Sequence, residues 1–314
     1  MRDDLMTIER MRQLLRQAAH DDFQSFLRMV VATVSPGTVY QHNWHLDAIG
    51  AYLDACTKGE VKRLIINLPP RMLKSITVSV AWPAWLLGHD PKARIMAASY
   101  AQSLSVKHSL DCRLVMESRW YREIFPKTEL ARDQNEKDKF VTTKRGHRIA
   151  VSVGGAATGE GGNILIVDDP MNPLQAGQRA LRDAANRWFD HTFLTRLDDK
   201  KRGAIIVVMQ RLHPEDLSGH LVKKGGWELL ALPAISPTSV TITQGAFMKH
   251  REEGEVLHIE REDAAMLAQV KRELGSANFN AQYQQTPLGE EAQLVQLIWF
   301  KRFEPTKLDW ETGA

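Results

Sequence analysis

The chain has 314 residues, 43% of them hydrophobic, which excludes a disordered polymer and suffices for the core of one large domain or two ordinary ones. Lys and Arg number 41 against 38 Asp and Glu, so a net charge of +3 argues neither for nor against a nucleic-acid partner and confines any polyanion site to a local patch. The two cysteines, Cys56 and Cys112, lack CxxC spacing, which argues against a disulfide framework or thiolate zinc site and fits a reducing cytoplasm.

Asp3, Asp4, Glu9, Asp21 and Asp22 make the N-terminus too acidic for a signal or transit peptide. Residues 5–31 carry apolar side chains at helical spacing (Leu5, Ile8, Leu14, Leu15, Phe23, Phe26, Leu27, Val30) and predict an amphipathic helix closed by the Ser35-Pro36-Gly37 turn. A second helix, 43–58, ends at Gly59. Strands at 61–68, 93–98, 148–153, 164–167, 204–209 and 227–232 then alternate with helices at 75–87, 102–116 and 175–197. The most apolar of these runs, 76–87, is interrupted by Pro83 and falls short of the roughly 20 residues that span a membrane. Buried-type strands alternating with helices predict an α/β fold with a mainly parallel sheet. From Pro233 the texture changes to a Thr/Ser-rich run and then a charged helix at 260–274, so a boundary is expected near Leu232. No internal repeat or low-complexity tract is present.

The stretch LIINLPPRMLKSITVSVAW, residues 64–82, has the rhythm of a phosphate-binding loop without its glycines. In GxxxxGK[ST], backbone N–H groups ring the phosphates, the lysine reaches the β/γ-phosphates and the hydroxyl binds magnesium. Leu68 and Leu73 occupy the glycine positions here. What survives is strand, tight turn, then Lys74-Ser75 at a helix N-terminus, where free N–H groups and the helix dipole favour an anion. Pro69 and Pro70 can fix by rigidity a turn that glycine permits by flexibility. A plain strand-to-helix loop with a solvated lysine is the alternative.

The stretch GNILIVDDP, residues 162–170, shifts the balance. Four apolar residues predict a buried strand with Asp168 and Asp169 at its carboxyl end, where ligands collect in open α/β sheets. One carboxylate can hold magnesium while its neighbour orients or deprotonates the attacking water. Either stretch alone is common; together they point to a P-loop ATPase with ATP and Mg2+ as ligands.

These residues resemble the large terminase subunit of tailed bacteriophages, the motor that pumps DNA into the procapsid. The likeness runs through WHLDAIGAYLDACTKGEVKRLIINLPPRMLKS, GGAATGEGGNILIVDDP, VVMQRLHPEDLSGHL and NFNAQYQQTP, in that family's order and spacing. Terminases tolerate a deviant loop of the form PPRxxKS. The resemblance implies a RecA/ASCE-like fold, with Pro70, Arg71, Met72, Leu73, Lys74 and Ser75 forming the ATP-binding loop. Ser75 and Asp168, the Walker B carboxylate, would hold Mg2+. Asp169 would stand where many such motors place a catalytic glutamate, and Arg71 would stabilise charge on the transferred phosphoryl group. Gln41 sits where related motors read adenine, with Trp44 and His45 either its aromatic neighbours or the core-facing start of a helix. VVMQRLHPEDL resembles the coupling motif: Gln210 would sense the γ-phosphate, and Arg211, His213 and Asp216 would pass the change on, although Pro214, Glu215 and Asp216 equally suit a helix start.

GGAATGEGG lacks the GxGxxG spacing and precedes a strand, so it is not a dinucleotide fingerprint; it predicts a flexible loop near the γ-phosphate or DNA. Arg145 and Arg148 are the nearest candidates for an arginine acting in trans. Lys144-Arg145-His147-Arg148, Lys200-Lys201-Arg202 and Lys223-Lys224 are candidate phosphate contacts or solvated faces. His250 and His258 read as solvated.

The expected organisation is N-terminal helices with an adenine-side lid (1–60), a P-loop ATPase core (61–232), a linker subdomain (233–290) and, at 291–314, the approach to an RNase H-like nuclease that stops before its first aspartate. Nuclease activity is therefore not expected. The resemblance implies double-stranded DNA, portal protein and small terminase subunit as partners, a pentameric ring on the procapsid with a monomer in isolation, and the host cytoplasm as location, with no membrane. A helicase-type translocase and a catalytically silent docking module are the alternatives. The first needs a second motor-like domain, and the second does not explain Lys74, Ser75, Asp168 and Asp169 together.

Overall fold

The structure is a computed structural model, in which residues 2–155 and 159–289 are described. The N-terminal run forms two helices, α1 (Arg2–Asp21) and α2 (Phe23–Val34), rather than one. Asp22 adopts extended backbone and its carboxylate accepts from the Ser25 N–H at 2.7 Å, so a capping residue interrupts an apolar periodicity that continues across the break. Helix α3 (Trp44–Lys58) ends at Gly59, whose φ of 78° supplies the left-handed cap.

Strand β1 (Arg63–Asn67) leads through the proline loop into a π-helical segment, Ile76–Ala81, that continues as α4 (Trp82–His89). Then follow β2 (Arg94–Ser99), α5 (Gln102–Glu117), α6 (Arg119–Ile124), β3 (Leu130–Asn135), β4 (Lys139–Thr142), β5 (His147–Ser152) and β6 (Ile164–Asp168). The run predicted as a helix over 175–197 is α7 (Arg179–Trp188) flanked by short 3-10 and π-helical turns. Strand β7 (Ala204–Met209), α8 (Leu217–Lys224) and β8 (Glu228–Ala231) complete the core.

The fold is α/β, with an eight-stranded sheet in the order β3-β4-β5-β2-β6-β7-β1-β8. The six strands from β5 to β8 in that order run parallel, and β3 and β4 form an antiparallel edge. Every residue of β7 is buried, as expected for a strand covered on both faces. Alternate residues serve two cores: Leu64, Ile66, Ile166, Ile206 and Val208 face α2 to α5, whereas Ile65, Leu165, Val167, Ile205 and Val207 face Trp188, Phe189, Leu217 and Leu221. Each such side chain contributes about 1.5–3 kcal/mol of burial.

After Leu232 come an antiparallel hairpin of β9 (Val240–Gln244) and β10 (Phe247–Arg251), then α9 (Ala264–Leu274) and α10 (Ser276–Gln282). This part has its own small core of Ala234, Leu267, Phe279 and Tyr283. The Gln284 side chain accepts from the Ile235 N–H and donates to its carbonyl, both at 2.9 Å, closing the segment on itself. No helix among the described residues is long and apolar enough to cross a membrane. The predicted nuclease approach at 291–314 lies outside the described residues.

Candidate functional site

Strand register builds the site. Asp168 pairs with Ser99 on one side and Val208 on the other, and Asn67 pairs with Met209, so β1, β2, β6 and β7 end at one level. The segments leaving three of them therefore converge: the proline loop, Asp169 and Gln210. One strand, β7, stands between β1 and β6.

Within the loop, Arg71 and Leu73 have φ of 63° and 60°, and Asp169 has 46°. These are left-handed conformations that cost a residue with a Cβ about 1–2 kcal/mol each. Leu73 stands at the second glycine position, so the loop keeps the backbone conformation that glycine normally supplies and carries the strain in a leucine. Such strain persists only where the surroundings over-determine it. Here Met72 is buried in the core, its carbonyl accepts from His45 Nε2 at 3.3 Å, and Asp169 is pinned by N–H to Val208 and carbonyl to Tyr100 at 2.9 and 3.1 Å.

The predicted Lys74, Ser75, Asp168 and Asp169 come together. Lys74, 7% exposed, places Nζ 2.9 Å from Asp169 Oδ2. The Ser75 hydroxyl donates to Asp168 Oδ1 at 3.0 Å across 93 residues of sequence. Gln210 N–H donates to Asp169 Oδ1 at 3.3 Å, while its own side-chain Oε1 is buried without a partner among the described residues. Burial raises both aspartates above the ordinary carboxylate range, and the Lys74 ammonium opposes that rise in each. Two adjacent carboxylates with one lysine and one hydroxyl can hold a cation, a phosphate or a water poised to lose a proton.

A second layer was not anticipated from sequence. Ser79 Oγ donates to Asp168 Oδ2 at 2.7 Å, and His108 Nδ1 lies 3.5 Å from the same oxygen. Burial, assisted by Arg148 and Lys107, pushes the His108 imidazole down to about 4. Arg148 donates through Nη2 to the Ser79 carbonyl at 3.0 Å and is 0% exposed, so it cannot reach a neighbouring molecule as an arginine acting in trans, nor touch DNA. His147 is also buried, whereas Lys144 and Arg145 are exposed on the turn between β4 and β5. The only sequence signal for the second layer is the spacing of Ser75 and Ser79, one helical turn apart.

Gln41 lines a cleft with Tyr40, Arg71, Leu73, His258 and Arg261, which brings the predicted base reader to the loop. His45 lines that cleft as well, while the Trp44 ring faces Arg251 and Lys249 at 5.4 and 5.6 Å. His45 is buried, accepts from Asn43 Nδ2 at 2.6 Å, and is pushed down to about 3 by burial. His258 is not solvated as its charged surroundings suggest; it is 4% exposed, its ring 5.7 Å from that of His45.

In the segment that resembles a coupling motif, Arg211 is committed to Asp216, with Nε 3.0 Å from both carboxylate oxygens. Asp216 is fully buried and also accepts from Leu212, His213 and Gly219 N–H groups, capping α8. Arg211 N–H donates to Gln285 Oε1 at 3.0 Å, a contact with the C-terminal part that sequence reasoning missed. Of GGAATGEGG, residues 156–158 lie outside the described residues.

A scan against protein-family models found no match, and neither did a search of curated proteins. Solved structures do match. The Thermus phage P74-26 large terminase ATPase domain is 10% identical with a TM-score of 0.50, covering 83% of this chain and 97% of that one. The HK97 bacteriophage large terminase is 12% identical with a TM-score of 0.48, covering 83% of this chain and 55% of that one. A large terminase from a thermophilic bacteriophage in complex with ADP is 11% identical with a TM-score of 0.46, covering 76% and 52%. The chain thus spans about half the length of the HK97 protein, and it shares the fold of the P74-26 ATPase domain.

Proposed function

We propose that this chain is the ATP-hydrolysing motor domain of a phage large terminase, which moves double-stranded DNA into a procapsid. The observation that carries the reading is the convergence of Lys74 on Asp169 at 2.9 Å and of Ser75 on Asp168 at 3.0 Å, next to a loop in which Arg71 and Leu73 have left-handed φ. The fold shared with the P74-26 large terminase ATPase domain supports it.

In this reading Lys74 leaves Asp169 for the β/γ-phosphates, and the first-turn N–H groups of the following helix face the same anion. Ser75 Oγ and the Asp168 carboxylate, hard oxygen donors 3.0 Å apart, fit Mg2+, which takes one or two protein oxygens beside phosphate and water. When bound, the ion would neutralise charge between the β- and γ-phosphates. Asp169, released by Lys74, accepts the proton of the attacking water. Arg71, exposed on the loop, stabilises charge on the transferred group, and Gln41 reads the adenine edge across the cleft. Gln210, whose N–H holds Asp169, reports the γ-phosphate to Arg211, His213 and Asp216. The core at 61–232 carries the chemistry, with residues 1–60 supplying the adenine side and 233–290 a linker subdomain.

The partners in this reading are double-stranded DNA, portal protein and small terminase subunit, with a pentameric ring on the procapsid in the host cytoplasm. The exposed groups Lys144-Arg145, Lys200-Lys201-Arg202 and Lys223-Lys224 are the candidate phosphate contacts. ATP turnover measured with and without double-stranded DNA tests the reading. Stimulation by DNA that fades with added salt supports it; turnover indifferent to DNA at any salt concentration contradicts the motor assignment.

A further inference from the structure

Around Asp168, four elements bring polar groups into the core: Asp168 of β6, Ser79 of the π-helical segment, His108 of α5 and Arg148 of β5. Their exposures are 1%, 1%, 6% and 0%. The Arg148 guanidinium makes one hydrogen bond, Nη2 to the Ser79 carbonyl, and its Nε and Nη1 have no partner among the described residues. A buried cation so poorly solvated is tolerated only beside compensating charge. The carboxylates acting on it are Asp168 and Asp111, and Asp111 already holds Lys107 at 2.6 Å. Ser79 stands between them, its carbonyl bound by Arg148 and its hydroxyl donating to Asp168 Oδ2 at 2.7 Å. The π-helical turn places Ser79 on the same face as Ser75, so two hydroxyls hold the two oxygens of one carboxylate.

We infer that Ser79, backed by Arg148, is a positioning residue for the Asp168 carboxylate: it occupies Oδ2 from the core side and fixes the rotamer that presents Oδ1 beside Ser75. The inference rests on the reading of Ser75 and Asp168 as the oxygen pair that holds a divalent cation with the nucleotide. Its role is to preorganise that pair, so its loss weakens cation binding and leaves the loop's grip on phosphate intact.

The test uses Mn2+ as the probe, followed by electron paramagnetic resonance in the presence of ADP, together with ADP affinity in EDTA. Ser79→Ala removes one buried oxygen and no carbon. It is expected to weaken Mn2+ about tenfold or more, the scale for losing a group that orients a metal ligand, while ADP affinity without metal stays at the wild-type value. Ser109→Ala is the control, because Ser109 is also 0% exposed yet its hydroxyl has no partner among the described residues. It is expected to leave both affinities unchanged. Wild-type Mn2+ affinity in Ser79→Ala, or an equal loss in Ser109→Ala, overturns the inference while the nucleotide site stands. A wild-type chain that binds no ADP overturns the ATPase reading, and the inference with it.

Discussion

In the proposed ATPase site Asp169 holds the lysine that a nucleotide would take over, so replacing it with asparagine should separate binding from chemistry. Lys74 Nζ lies 2.9 Å from Asp169 Oδ2, with the lysine 7% exposed. For charges ~4 Å apart at an effective dielectric of ~20, the attraction is about 4 kcal/mol. Most of this is offset by desolvation of the pair, leaving about 1–2 kcal/mol that an incoming phosphate must overcome. Asp169→Asn removes that competition and keeps the side chain's shape. ATP affinity should therefore rise roughly 5- to 30-fold. Turnover should fall at least about 100-fold, since the proton acceptor for the attacking water is gone. Titration with a fluorescent ATP analogue and a phosphate-release assay read the two effects separately. Weaker ATP binding, or turnover close to wild type, would refute the assignment of Asp169 as both clamp and base.

Three further outcomes follow from the geometry. His45 titrates near 3 in the folded chain against about 6.5 unfolded, so the stability it contributes is complete above pH 6.5 and is lost as pH falls toward 3, by up to about 1.4 kcal/mol per unit. The raised Asp168 and Asp169 act in the opposite sense, so the check is a difference: the stability gap between wild type and His45→Gln, from chemical denaturation, should narrow between pH 7 and 4, and a constant gap would contradict it. Asp216→Ala removes the buried carboxylate that holds the partly buried Arg211 guanidinium and uncaps α8, which should cost about 3–5 kcal/mol and lower Tm by roughly 10 °C in a melting scan. In Gly219→Ala the new Cβ would run into the Pro214 carbonyl and lie 2.9 Å from Arg211 Nη2, so a loss of roughly 1–3 kcal/mol is expected, together with reduced turnover; a neutral variant would show that this turn is free to move.

The site was legible where chemistry coincides with a strand end. Apolar runs closing on Lys74-Ser75 and on Asp168-Asp169 mark where these residues come together, and the parallel sheet supplies the convergence. Other features left no such mark. Leu73 adopts a glycine's φ because buried Met72 and His45 hold the loop, which local propensity cannot anticipate. Strands β3 and β4 escaped notice because an edge strand such as LARDQN is polar on a face that a central strand would bury. The break at Asp22 was hidden by apolar spacing that continues through it. Arg148 read as a surface charge within a basic group because charge patterning assumes solvation; only the fold reveals that β5 carries it into the core. Gln285, at φ 57°, touches Arg211 across 74 residues and belongs to no chemical pattern.

The central claim is that LPPRMLKS works as a phosphate cradle without glycine. Magnesium-dependent ATP turnover by the wild-type chain, set against Lys74→Ala and Asp169→Asn, tests it most directly. The account predicts turnover in the wild type, none in either variant, and ATP binding that survives in Asp169→Asn alone. A wild-type chain that neither binds nor hydrolyses ATP at high protein concentration would contradict it and leave the loop a strained turn between strand and helix.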